Sequence, residues 1–198
     1  MNKTEMKKTA HLSSFFVKEI HHYDIINIRL KDNYFTVDLM DEEGPDVEIP
    51  IKRHHKHLKS DIVGKNFMNY DSMLVLSHFK GHPMGGYGGA LKQLSIGCAS
   101  AVVDHFQDKI VYVNVMANMS VDCDCCAIAE DPCMKDIGIL ISTDPVAIDR
   151  ACIDLVKQSD DPGKEHFLER ITSRNGEHTI EAACEMGIGV VEYELIDC

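Results

Sequence analysis

Residues 77–92, Ser-His-Phe-Lys-Gly-His-Pro-Met-Gly-Gly-Tyr-Gly-Gly-Ala-Leu-Lys, set five glycines among two histidines and two lysines, directly after an apolar run. Glycine gives up the most freedom on ordering. Gly81, Gly85, Gly86, Gly88 and Gly89 therefore suit a backbone that turns sharply or approaches something closely. A solvated linker is the rival reading, but linkers carry serine or dense charge rather than imidazoles and ammonium groups. In a site of this kind His78 and His82 are candidate ligands for a transition metal. Lys92 or Lys80 offers a cation, or a covalent anchor, for a small anionic ligand. Gly85, Gly86, Gly88 and Gly89 would let a cofactor come close to the main chain.

A second constellation lies in residues 120–133, Ser-Val-Asp-Cys-Asp-Cys-Cys-Ala-Ile-Ala-Glu-Asp-Pro-Cys. Thiolates at Cys123 and Cys125 can face one point from an extended loop, and Cys126 and Cys133 are near enough in sequence to complete a soft site. Zinc, iron or an iron–sulfur cluster would suit it. The spacing is neither the paired C-x-x-C of a zinc ribbon nor the run of a bacterial ferredoxin. The plainer alternative makes Cys126 and Cys133 small buried hydrophobes, with Asp122 and Asp124 capping turns. Cys98, Cys152 and Cys184 sit in apolar helical contexts and read as core; Cys198 is terminal and unassigned.

The elements that must hold these residues follow from the apolar runs. Residues 72–77, 109–116 and 137–142 are short and nearly continuous in aliphatic residues, as in strands buried on both faces of a parallel sheet. Thr143-Asp144-Pro145 supplies an N-cap and a proline at the first helical position. Val146, Ala147, Ala151 and Leu155 then recur at helical spacing for about four turns. Residues 179–186 read as another helix stopped by Gly187, and 190–196 as a last strand. Upstream, 35–39 and 47–51 flank Asp-Glu-Glu-Gly-Pro and read as a β-hairpin. The fold class expected is α/β, a mostly parallel (mixed) sheet flanked by helices with an N-terminal hairpin. Residues 1–198 would form one domain, in which 1–33 is hard to read. Ligands of open parallel sheets sit beyond the carboxyl ends of the strands. The segments there, 78–92, 122–133 and 143–144, hold nearly all the unusual chemistry.

The chain has 198 residues, 44% hydrophobic and 26% charged, with a formal net charge of -12. The charge argues against nucleic-acid binding, which needs a basic stripe, and the one dense basic run is 52–57. Its histidines, His54, His55 and His57, read as exposed. No apolar run reaches membrane-spanning length and the first ten residues lack a signal-peptide core, so the expected location is cytoplasmic, with no membrane partner. Eight cysteines in that compartment read as reduced thiols.

Three motifs in order carry a resemblance. These are Ser-His-Phe-Lys-Gly-His with Gly-Gly-Ala-Leu-Lys and Gly-Cys-Ala-Ser, then Asp-Cys-Asp-Cys, then Asp136-Ile-Gly-Ile-Leu-Ile-Ser-Thr-Asp-Pro-Val-Ala-Ile-Asp149. Together they resemble the uncharacterised iron–sulfur-centre protein family, domain of unknown function 362, over residues 35–197. Members commonly carry a further α/β region upstream and a ferredoxin-like insertion with two four-cysteine motifs. Here residues 101–109 run straight into the next strand. The Gly-rich loop alone is similar to that of the nickel-pincer lactate racemases, where a histidine ten residues ahead of a lysine acts in proton transfer and the lysine anchors the cofactor. That likeness implies catalytic roles for His82 and Lys92.

The leading expectation is a metal- or iron–sulfur-associated protein of cytoplasmic redox or small-molecule metabolism. Its metal would be held by His78, His82, Cys123, Cys125 and Cys126, with Lys80 beside a small anionic ligand. The alternative is a truncated, non-catalytic family member that binds a partner chain or scaffolds an assembly. A missing upstream layer would also favour a homo-oligomer or a partner chain, because uncovered sheet faces are usually paired. A phosphate or nucleotide site at a helix N-terminus rests on glycine content alone. Asp144 reads as an N-cap and candidate outer carboxylate. His105 reads as a capping or crevice residue, and Asp149 and Asp154 as solvated.

Overall fold

The computed structural model describes residues 44, 46–52, 59–97 and 100–197. The readings of 1–33, of 35–39, of the 53–57 basic run and of Cys98 and Cys198 fall outside them. A short antiparallel hairpin pairs β1 (Val47–Pro50) with β2 (Ser60–Val63). An N-terminal hairpin is thus present, and among the described residues β1 pairs with β2. A 3₁₀ turn over Lys65–Asn69 leads into β3 (Met73–His78).

β3 lies parallel to β6 (Ile110–Met116), register Met73 to Ile110, and β6 is the middle strand of a three-stranded sheet. The third strand, β7 (Gly138–Ser142), pairs with β6 antiparallel, register Met116 to Gly138. The sheet is mixed and flanked by helices, as the expected α/β class has it, and the reading of the 137–142 run as a parallel strand is corrected for β7. A short apolar run carries no information about direction. The reversal puts the end of β7, with Thr143 and Asp144, at the opposite sheet edge from the ends of β3 and β6. Asp144 accordingly works as a cap: Oδ1 accepts from Val146 N and Ala147 N at 2.8 and 2.9 Å, and Oδ2 from Val190 N at 2.9 Å.

Between β3 and β6 the chain forms a second hairpin, β4 (Lys80–His82) with β5 (Gly86–Gly88), and then helices α1 (Ala90–Gly97) and α2 (Ser100–Phe106). After β7 come α3 (Pro145–Gln158), α4 (Lys164–Ser173) and α5 (His178–Glu185). α3 runs four turns from its Asp-Pro start, as its spacing predicts. Gly187, at φ +67, follows α5 in the left-handed conformation that closes helices. Residues 190–196 are irregular and exposed rather than a strand.

Strand partners share a face, and residues two apart share it too. Val75, Ser77, Tyr112, Asn114, Met116 and Leu140 consequently line the side that α1 and α3 cover. Ile153, Val156 and Phe167 are fully buried there, each contributing about 1.5–3 kcal/mol by leaving water. The other face carries Leu74, Val111 and Ile141, of which Leu74 is 62% and Ile141 52% exposed.

Candidate functional site

β3 and β6 run parallel, so their carboxyl ends, His78 and Met116, lie at one edge. The β4–β5 hairpin leaves from the first, and the cysteine segment from the second. The two meet main chain to main chain, Gly81 N donating to Ser120 O at 2.7 Å. A methyl group on Gly81 would overlap the Val121 carbonyl, so this glycine serves close approach. The hairpin's outer turn is held from the other side. Gly86 sits at φ +82, and a methyl there would come within 2.8 Å of Gly176 Cα. Arg174 Nε donates to Pro83 O at 2.7 Å.

Asp124 ties the two segments together. Its carboxylate meets His78 Nδ1 at 3.0 Å and Lys80 Nζ at 2.7 Å. Burial alone would raise its pKa, but His78 and Lys80 outweigh burial and hold it at about 2. The other His78 nitrogen, Nε2, lies 2.8 Å from Ala117 O. Both ring nitrogens face acceptors, and both bonds are made only when each nitrogen carries a hydrogen. His78 thus fastens the cysteine segment to the end of β3, with both ring nitrogens turned to protein oxygens.

His82 is the reverse case. Its Nδ1 accepts from Met84 N at 3.2 Å and Gly85 N at 2.9 Å, which leaves the ring hydrogen on Nε2. Burial, then the charges of Lys92, Lys80 and Arg170, lower its pKa. The result is a neutral imidazole offering an N–H, among three cations. The stems of Lys92 and Lys80 run beside Gly88, where an added methyl would meet Lys92 Cδ at 3.2 Å and Lys80 Cε at 3.8 Å. Lys80 and Arg170 have carboxylates, Asp124 at 2.7 Å and Asp122 at 3.5 Å. Lys92 has no acidic partner among the described residues.

The thiols stand beside this group. Cys125 Sγ donates to Cys123 Sγ at 2.9 Å, and Cys126 N closes the turn on Cys123 O at 2.9 Å. Cys123 is buried and Cys125 exposed. The bond to Cys123 comes first among the causes that raise the Cys125 pKa, with burial and Cys126 adding to it and the Lys92 ammonium acting against it. Cys133 is apart from the pair, its Sγ on Met119 O, and Cys152 is in the core.

The metal expectation can be tested on this geometry. Two thiolates bound at about 2.3 Å to one tetrahedral ion stand about 3.8 Å apart, wider than the 2.9 Å seen. His82 binds through Nε2 only by giving up its hydrogen while Nδ1 still accepts two N–H bonds. Among the described residues no group of three or more His, Cys, Asp or Glu is arranged to hold a metal ion. A metal at Cys123, Cys125 and Cys126 would need the pair to part.

The residue that sequence reasoning missed is Asp149. It is fully buried, and its carboxylate accepts from Ala90 N at 2.8 Å, Leu91 N at 3.0 Å and Asn114 Nδ2 at 2.7 Å. Burial lifts its pKa from 3.8 to about 6 against these donors. Asp149 therefore fills the N-terminus of α1, and the chain's own carboxylate takes the place that a phosphate would need. Gly89 is glycine for the same reason, since a methyl there would lie 2.5 Å from Asp149 Oδ1. Asp154 is also engaged, with Arg150 at 2.6 Å.

Comparison with known proteins gives one match. The family described as Domain of unknown function (DUF362) matches residues 28–154, more than half of the chain. No curated protein and no solved structure matches.

Proposed function

The chain belongs to the DUF362 family, and on that premise we propose that it serves redox or small-molecule metabolism by binding a small anionic ligand at the carboxyl edge of β3 and β6. The observation that carries this reading is Lys92, a cation without an acidic partner among the described residues, beside the N–H of a neutral His82. Lys80 and Arg170, each shared with a carboxylate, complete the field. In this arrangement Lys92 and the His82 Nε2–H would contact the ligand, and Lys80, tied to Asp124, would position the sulfur-bearing turn against it. A neutral imidazole donates a hydrogen bond without adding a further charge beside the lysines.

Calorimetric titration of the reduced protein with inorganic phosphate and with succinate tests this. Saturable binding of one of them, weakened about tenfold in Lys92→Ala, is expected for the loss of one charge-assisted bond. Undetectable binding of both anions, or an unchanged affinity in Lys92→Ala, would contradict it.

A soft metal held by Cys123, Cys125 and Cys126 is a second reading, favoured by three thiols in one turn. Elemental analysis of protein purified without oxygen decides it, because stoichiometric zinc or iron would place a metal in the site. A third, that the chain binds a partner or a second copy, draws on the exposed Leu74, Val111 and Ile141 of the sheet face. Light scattering across a wide concentration range tests it, and a monomer throughout would contradict self-association. Among the described residues no helix is long and apolar enough to cross a membrane.

A further inference from the structure

We propose that Cys123 and Cys125 form a redox-active dithiol that closes to a Cys-Asp-Cys disulfide by exchange with a small-molecule disulfide. This exchange does not depend on anion binding, and the two sulfurs stand close together. At 2.9 Å they are already well inside the distance at which two unbonded thiols ordinarily pack, and a bond of about 2.05 Å needs a shift of under 1 Å. Asp124 and Cys125 lie in a turn that Cys126 N closes on Cys123 O, and such a turn draws the Cα atoms of residues two apart inside the range a disulfide spans, which full extension would reach or exceed.

The turn is held in this state by its surroundings. Asp124, between the two cysteines, is gripped by His78 and Lys80, and the Cys126 N to Cys123 O bond fixes the next peptide. The two sulfurs are also unequal. Cys125 is exposed and can meet an oxidant, while Cys123 is 4% exposed and touches the Cys125 sulfur. This is the division between an attacking and a resolving thiol.

The chemistry balances as two exchanges. Cys125, whose bond to Cys123 raises its pKa, first loses its proton to solvent; its thiolate then attacks one sulfur of the disulfide RSSR, forming the mixed disulfide and releasing RS⁻, which takes up a proton. The Cys123 thiolate then attacks Cys125 Sγ, forming the intrachain bond and releasing the second RS⁻. The protein loses two hydrogens and two electrons, and RSSR becomes two RSH. A ring closed by three residues is strained, so the bond should be oxidising and readily reversed by excess thiol.

The test uses the whole chain, reduced and freed of reductant, then exposed to oxidised glutathione, with intact mass and peptide mapping as readouts. The proposal expects loss of two hydrogens, a Cys123–Cys125 link in the mapped peptide, and full reversal by reduced glutathione. Cys123→Ser should stop at a stable glutathione adduct on Cys125. Cys126→Ser should form the link at a rate within about threefold of the parent, since that thiol takes no part. No hydrogen loss, a link that uses Cys126 instead, or stoichiometric metal that shields the pair would overturn the proposal. None of these results bears on the phosphate or succinate titration, so the two readings fail separately.

Discussion

Alanine in place of Gly81 should unseat the cysteine segment from the β4–β5 hairpin. The added methyl meets the Val121 main chain, which has no rotamer through which to yield, so hairpin and segment must separate. Separation breaks the Gly81 N to Ser120 O bond and strains the grip of His78 and Lys80 on Asp124. A stability loss of about 3 kcal/mol is expected, at the upper end for overpacking because the obstacle is backbone on both sides. Urea unfolding measures it. Thiol labelling gives the more specific readout, since Cys123, buried in the parent, should react at a rate approaching that of Cys125. A Gly81→Ala protein with parental stability and a protected Cys123 would show that the two segments do not depend on this contact.

Asp149→Ala should be comparably damaging. It strands three buried donors, Ala90 N, Leu91 N and Asn114 Nδ2, at about 1–3 kcal/mol each, and relieves the cost of burying the carboxylate. That relief is about 3 kcal/mol at pH 7, from a folded pKa of about 6 against 3.8. A net loss of roughly 3 kcal/mol remains. The pH dependence of the same carboxylate has a definite sign. Its folded pKa is raised, so the native state binds the proton more tightly. The penalty is absent below pH 3.8, grows between about 4 and 6, and is complete above 6. His82 opposes this, because its lowered pKa makes the fold lose stability as pH falls through the ordinary imidazole range. The difference between the parent and Asp149→Asn isolates the carboxylate. Relative to the variant, the parent should lose about 2.4 kcal/mol from pH 4 to 7, the remaining ~0.5 kcal/mol being lost already by pH 4. A flat difference across that range would mean that Asp149 titrates as an ordinary carboxylate.

Much of this architecture is legible in the sequence where one residue type has one physical reason to be present. Thr143-Asp144-Pro145 marks the start of α3 because capping and a fixed φ both need those residues there. The glycines marked a backbone that turns sharply or approaches something closely, and what several of them approach is the chain itself, Gly81 at Val121, Gly86 at Gly176 and Gly89 at Asp149. Strand direction was not legible, and with β7 reversed Asp144 left the site. Residues 190–196 have the apolar content of a strand but are irregular and exposed. Asp149 was hidden for a different reason. It stands beside Arg150 and five residues before Asp154 on an amphipathic helix, and nothing local distinguishes a carboxylate that caps another helix from a solvated one. Arg170 was equally anonymous, and only tertiary structure sets it against Asp122. The histidines showed their type but not their hydrogen bonding, which directs both His78 nitrogens to acceptors and His82 Nδ1 to main-chain N–H groups.

In the function proposed, the glycine-rich hairpin and the cysteine turn form one anion site at the carboxyl edge of β3 and β6. Nuclear magnetic resonance of labelled, reduced protein during titration with inorganic phosphate or succinate tests it most directly. One saturating process is expected to move the His82 ring, the Lys92 side chain and the amides of Cys123 to Cys126 together, with His82 neutral at pH 7. Saturable shifts confined to one segment or located elsewhere, or no saturable shift with either anion, would contradict it.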